Sequence, residues 1–140
     1  MRPILIDTNA YTAFMLGDAA VVEVVAHAER IFLNSVVLGE LLGGFAAGKR
    51  EAKNRGELAR FLDSPRVEVL PVTAQTADSY ALVYSGLRRK GQPIPTNDLW
   101  IAASCVFRRS VTDRFGIVTA EFGSVTEHFG DVTDGRLVAA

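Results

Sequence analysis

The sequence predicts an α/β fold, a parallel sheet flanked by helices, and three observations carry that prediction. Short apolar runs bounded by turn residues recur at Ile4-Leu5-Ile6, Ile31-Phe32-Leu33 and Val67 to Val72. Stretches with helical spacing of apolar residues separate them, so strand and helix alternate along the chain. The runs are continuously apolar or β-branched, as suits strands covered on both faces. With 140 residues, 49% of them hydrophobic, the chain has one domain's length and composition. No domain boundary is legible, so residues 1–140 read as a single unit.

The elements follow in order. Ile4-Leu5-Ile6 is a buried strand that ends at Asp7-Thr8-Asn9. Residues 9–16 form a helix, and Asp18 caps a second helix carrying Val21, Val22, Val24 and Val25. After the second strand at 31–33, Ser35 is the expected cap of a helix whose stripe is Val37, Leu38, Leu41 and Leu42, weakened at its end by Gly43, Gly44 and Gly48. Residues 49–62 form a charged helix stopped at Ser64-Pro65, because a residue before proline avoids helical backbone. Val67, Val69 and Val72 mark the third strand. Thr73 opens a helix over 74–89 with Ala77, Tyr80, Ala81 and Tyr84 among its inward residues. Gly91-Gln92-Pro93-Ile94-Pro95 is a stiff loop, and Thr96-Asn97 caps the helix of Leu99, Trp100, Ile101, Ala102 and Ala103.

The last thirty residues carry a seven-residue repeat, V-T-x-x-F-G-x, starting at Val111, Val118 and Val125 and beginning again at Val132. Val, Thr and a Gly in each unit disfavour helix and suggest short strands and turns. A local duplication without chemical meaning is the simpler account of it.

Composition excludes several classes. Fifteen basic against sixteen acidic residues leave a net charge of −1, so no global cationic field holds nucleic acid, and such a role needs local patches or a metal. One cysteine, Cys105, rules out an internal disulfide and a Cys-rich zinc site, and fits a reducing compartment. No apolar stretch approaches the ~20 residues of a membrane span, and Ile4-Leu5-Ile6 is too short for a signal peptide's apolar region. A cytoplasmic location is the resulting expectation.

Three acids stand in unusual places. Asp7 ends a buried strand, where the carboxyl edge of an open parallel sheet commonly forms a ligand crevice. Glu40 lies in the helix after the second strand among Val37, Leu41 and Leu42, and Asp98 sits in a first helical turn, where the dipole favours an anion. Each alone also has a structural reading: a turn or cap for Asp7, a solvated position for Glu40, an ordinary helix start for Asp98. Together, carboxylates at one edge would repel each other unless a cation intervened. Oxygen ligands without Cys and almost without His suit a hard ion, Mg²⁺ or Mn²⁺, which activates water for attack on a phosphodiester.

Ile6-Asp7-Thr8-Asn9, Gly39-Glu40-Leu41 and Pro95-Thr96-Asn97-Asp98-Leu99-Trp100-Ile101-Ala102-Ala103 resemble, in order and spacing, the PIN-domain ribonucleases, particularly the VapC toxins of bacterial toxin–antitoxin pairs. The resemblance covers residues 4 to about 107. It implies a three-layer fold with a parallel sheet of about four to five strands, and RNA cleavage by an acidic cluster holding one or two Mg²⁺ or Mn²⁺ ions. It implies Asp7, Glu40 and Asp98 as catalytic and metal-binding acids, with Thr8, Asn9 and Asn97 orienting carboxylates or metal waters. It also implies a homodimer and a small VapB-like antitoxin entering the active groove, to which the 43–62 region with Phe45 would contribute.

The sequence departs from that pattern where the family has a fourth acid after its last strand: the count from Asp98 lands on Gly116. Glu121, which follows the strand-like Ile117-Val118-Thr119-Ala120, is the preferred replacement, with Asp113, Glu127 or none as alternatives. Lys49, Arg50 and Lys53, and Arg88 with Arg89, are the expected RNA-binding cations, although such runs also occur as plain solvated faces. His27 and His128 read as surface or packing residues, and Trp100 and Tyr80 as core. Two rival functions are a PIN fold that binds RNA or protein without cutting, and a phosphoacceptor receiver-like domain. The second lacks a paired acid after the first strand and any Lys after Lys90.

Overall fold

Ile4, Leu5 and Ile6 are all buried, as a strand in the middle of a sheet covered on both faces requires. The fold comes from a computed structural model that describes residues 3–109 and 116–118. Strand β1 (Ile4–Ile6) lies between β2 (Ile31–Asn34) and β4 (Gly116–Val118), and β3 (Val67–Leu70) pairs with β2, giving the order β3-β2-β1-β4. Every pairing is parallel, with Ile4 opposite Ile31 and Ile6 opposite Val118. The expected α/β architecture with four strands is present. Because the strands run the same way, their carboxyl ends share one edge. The chain leaves β1 at Asp7 and β2 at Asn34 on that edge.

Six helices accompany the sheet among the described residues: α1 (Thr8–Met15), α2 (Ala19–His27), α3 (Ser35–Ala47), α4 (Glu51–Leu62), α5 (Ala74–Arg89) and α6 (Thr96–Arg109). The main core gathers Leu5, Ile6, Leu33, Val37, Leu41, Leu58, Ile101 and Cys105 from strands and helices alike. Phe61 of α4 meets the Tyr11 ring edge-on at 5.3 Å and Phe14 at 5.7 Å, which anchors α4 on α1. Arg66 donates to the carbonyls of Val25 at 3.2 Å and Ala28 at 2.8 Å, placing a cation at the negative end of α2. α5 and α6 form a hairpin around a second small core of Val83, Leu99 and Ala102. Gly91, at φ 66°, ends α5: its N–H reaches the Arg88 carbonyl and the Gln92 N–H the Leu87 carbonyl. No described helix is long and apolar enough to cross a membrane alone, and α1 and α2 meet at 104°.

Several sequence expectations are corrected. The cap of α3 is Asn34, whose side chain accepts from the Val37 N–H, and Ser35 instead reaches the Leu70 carbonyl. α3 runs through Gly43 and Gly44 to Ala47, so α4 starts at Glu51. β3 stops at Leu70, before Pro71, which has no N–H to give a ladder, and leaves Val72 exposed. The buried face of α5 is Thr76, Ser79, Val83 and Gly86, so Ala77, Ala81 and Tyr84 point outward. Small and polar residues let α5 approach α6 closely, and an apolar count missed that. Tyr80 is half-buried against Trp100, ring centres 4.4 Å apart. α6 includes Thr96 and Asn97 themselves, since the Leu99 N–H already bonds the Pro95 carbonyl. His27 is on the surface, its Nδ1 paired with the Glu23 carbonyl.

Candidate active site

Asp7 is the N-cap of α1: its extended backbone ends β1, and its Oδ1 accepts the Ala10 N–H at 2.7 Å. The structural reading of this residue is the one observed, and it leaves room for the functional one, because a cap uses one carboxylate oxygen. Asp98 stands in the first turn of α6, as an anion at a helix N-terminus should. Glu40 is one turn further along α3, beyond the Asn34 cap.

These three acids, with Thr8, Asn9, Asn97, Pro95, Thr96 and Ile101, line one open cleft of about 490 Å³ at the carboxyl edge of the sheet. Within it, Glu40 is gripped from both sides. Thr8 Oγ1 of α1 donates to Glu40 Oε2, and Asn97 Nδ2 of α6 donates to Glu40 Oε1. One carboxylate thus joins three helices. All six candidate catalytic and supporting residues that lie within the described segments converge here. Pro95, Thr96 and Ile101 join them unforeseen, and the Pro-Ile-Pro loop was the available signal for the first two.

The side-chain ligands on offer are oxygen throughout: three carboxylates, two hydroxyls and two amides, which fits a hard divalent ion and not a soft one. The acids are not drawn into a tight cage, however. Among the described residues no three Asp, Glu, His or Cys side chains sit close enough together to hold an ion. Like charges at one edge repel, and the Ala10 N–H on Asp7 and the Thr8 and Asn97 donors on Glu40 offset part of that repulsion.

The expected basic residues lie outside the cleft. Lys49, Arg50 and Lys53 are exposed around the α3–α4 junction, and Lys53 makes only a long 3.9 Å pair with Glu57. Arg88 and Arg89 are exposed in the last turn of α5, where Arg88 donates to the Tyr84 hydroxyl at 2.9 Å. Glu121, Asp113, Glu127, His128 and the seven-residue repeat, apart from Gly116–Val118, lie outside the described residues.

Fold and cleft together define a class: a parallel α/β domain that collects carboxylates from three helices, two of them at the helix start, at the carboxyl edge of its sheet. The chain belongs to the PIN-domain family, whose family model matches residues 4–112. It is 32% identical over 84 residues to Ribonuclease VapC2 of Rickettsia felis, a match covering 60% of this chain and 61% of that protein's length. The crystal structure of VapBC2 from Rickettsia felis bound to a DNA fragment from their promoter is similar at 27% identity and a TM-score of 0.65, covering 76% of this chain and 83% of that one. DNA-bound VapBC from Salmonella typhimurium shares the fold at 24% identity and a TM-score of 0.70, covering 90% of this chain and 94% of that one.

Proposed function

We propose that this chain is a VapC-type toxin, an endoribonuclease that hydrolyses RNA phosphodiester bonds with Mg²⁺ or Mn²⁺. The observation that supports it most is the convergence of Asp7, Glu40 and Asp98, from three separate sequence motifs, on one cleft. The likeness to Ribonuclease VapC2 and to the VapBC complexes supports the same reading.

Asp7, Glu40 and Asp98 are the residues that would hold the ion, and bound there it would supply water activation and charge stabilisation at the phosphate. Thr8 and Asn97 hold the Glu40 carboxylate in one orientation, so less side-chain freedom is lost when it takes on a ligand. Asn9, exposed at the cleft, is the third proposed supporting residue, orienting a carboxylate or a metal-bound water. Glu121 is the proposed fourth acid. The exposed cations Lys49, Arg50, Lys53, Arg88 and Arg89 provide salt-sensitive contacts to the RNA backbone. By the same resemblance residues 1–140 act as one unit in the cytoplasm, as a homodimer held in check by a VapB-like antitoxin.

Purified protein should cleave RNA with Mg²⁺, stop in EDTA, and lose cleavage on Asp7→Asn. Equal cleavage by the variant rejects the assignment. A second reading, a PIN fold that binds RNA or protein without cutting, is favoured by the spread of the acids onto hydrogen-bond donors. Mn²⁺ titration separates the two, since a vestigial site binds the ion poorly.

A further inference from the structure

Beneath the cleft the core contains a polar chain that the acids do not need for solubility. Asn34, at the carboxyl end of β2, is 0% exposed, and Ser104 of α6 is 2% exposed, both beside an apolar core of Leu33, Val37, Leu41, Ile101 and Cys105. Asn34 Oδ1 accepts the Val37 N–H at 2.8 Å, and Asn34 Nδ2 donates to Ser104 Oγ at 3.2 Å. Ser104 Oγ in turn donates to the Trp100 carbonyl at 2.9 Å. The chain therefore runs from the first turn of α3 through Ser104, in the third turn of α6, back to Trp100 in the second turn of α6. Its two ends are the turns next to Glu40 on one helix and Asn97 and Asp98 on the other.

We infer that Asn34 and Ser104 are positioning residues: their buried link fixes α3 against α6 so that the Glu40 carboxylate meets the Asn97 amide and stands in register with Asp98. Apolar contacts between these helices are non-directional and tolerate a slide, whereas a hydrogen bond in a low-dielectric core does not. Burying an amide and a hydroxyl is costly unless they bond, so a hydrophobic pair would serve packing as well. What the polar pair adds is register. Small displacements matter at a carboxylate site because Mg²⁺ demands near-ideal octahedral geometry. The inference rests on the metal-dependent reading only for its catalytic consequence, since the Glu40–Asn97 bond exists without it.

Two variants break the link in different ways. Ser104→Ala removes the hydroxyl. Asn34→Ser keeps a good cap for α3 but is too short to span to Ser104. In EDTA, the Asn97 side-chain amide resonances of the full chain should move toward free-amide positions in both variants, as they do in Glu40→Gln, while Ser104→Thr keeps them in place. Mn²⁺ affinity, followed by the paramagnetic signal of the free ion, should fall about tenfold in both variants. In a Glu40→Gln background Ser104→Ala should cause no further loss. Unmoved Asn97 resonances in two folded variants, or an equal loss of Mn²⁺ affinity with and without Glu40, overturn the proposal. Moved resonances in a protein whose wild type binds no Mn²⁺ uphold the positioning role and reject the metal-dependent reading instead.

Discussion

Asp7 serves two purposes at once, and substitutions can separate them. As the N-cap of α1 it satisfies the Ala10 N–H at 2.7 Å. As a cleft acid it contributes a negative charge beside Glu40 and Asp98. Asp7→Ala removes both, and losing an N-cap costs about 1 kcal/mol, within a range of roughly 0.5–2. For a chain of this length that lowers Tm by about 3–5 °C. Asp7→Asn keeps the cap, because Asn accepts the same N–H as well as Asp does. It gives up the charge–dipole attraction at the start of α1, about 0.3–1 kcal/mol, and gains relief from the other two carboxylates, which is of opposite sign.

Asp7→Asn should therefore melt within about 2 °C of wild type in EDTA, given those opposing contributions. Asp7→Ala should melt several degrees lower, and both should be inactive on RNA in Mg²⁺. Calorimetry of the three proteins beside a fluorogenic RNA cleavage assay reads the two roles independently. If Asp7→Asn loses as much stability as Asp7→Ala, the cap assignment is wrong. If it retains cleavage, the carboxylate assignment is wrong.

Leu33→Ala, at a fully buried site in β2, should cost about 2–5 kcal/mol in urea unfolding with little change in m-value. Gly91→Ala forces a side chain into φ 66° at the end of α5 and should cost about 1–2 kcal/mol, read by the same titration. Stability should fall as pH rises past the ordinary Tyr and Cys ranges: burial, aided by the Glu57 charge, raises Tyr11, and burial raises Cys105. The folded state then keeps protons that the unfolded chain releases, so unfolding becomes easier as pH rises. Tyr11→Phe should flatten that slope, and an unchanged slope contradicts the Tyr11 contribution. Reversing Arg88 or Lys53 to Glu should weaken RNA binding more at low salt than at high salt, and a salt-independent loss would argue against phosphate contact.

The sheet was legible because its strands are buried on both faces: Ile4-Leu5-Ile6 and Ile31-Phe32-Leu33 are apolar without alternation, and that pattern is hard to produce otherwise. Helix caps were less so. Asn34 and Ser35 are adjacent, both good caps, and local chemistry cannot decide between them. The choice is made by β2, which extends to Asn34 and places its side chain in the core opposite Ser104. The inward face of α5 was misread for a related reason. Val83 is the main apolar residue it buries, and Thr76, Ser79 and Gly86 fill the rest by being small. Spacing of large apolar residues is a poor guide when two helices pack closely.

Two of the acids were recognisable for a different reason: they stand at the starts of elements, where sequence punctuation is strongest. Asp7 ends a strand and caps a helix, and Asp98 follows the Pro-Ile-Pro loop into a first turn. The parallel sheet brings the ends of β1 and β2, and with them α1 and α3, to one edge, and α6, which follows α5, brings Asp98 there from the α5–α6 hairpin. Helix N-termini then offset part of the repulsion that gathering anions causes. Glu40 lacks that help because it lies in the second turn of α3, and it is bound by side chains from both neighbouring helices. Thr8 and Asn97 do for Glu40 what the backbone of α1 does for Asp7: they supply donors to its carboxylate oxygens. Each stands next in sequence to one of the two aspartates, so the contacts that hold Glu40 also tie it to the turns that carry Asp7 and Asp98.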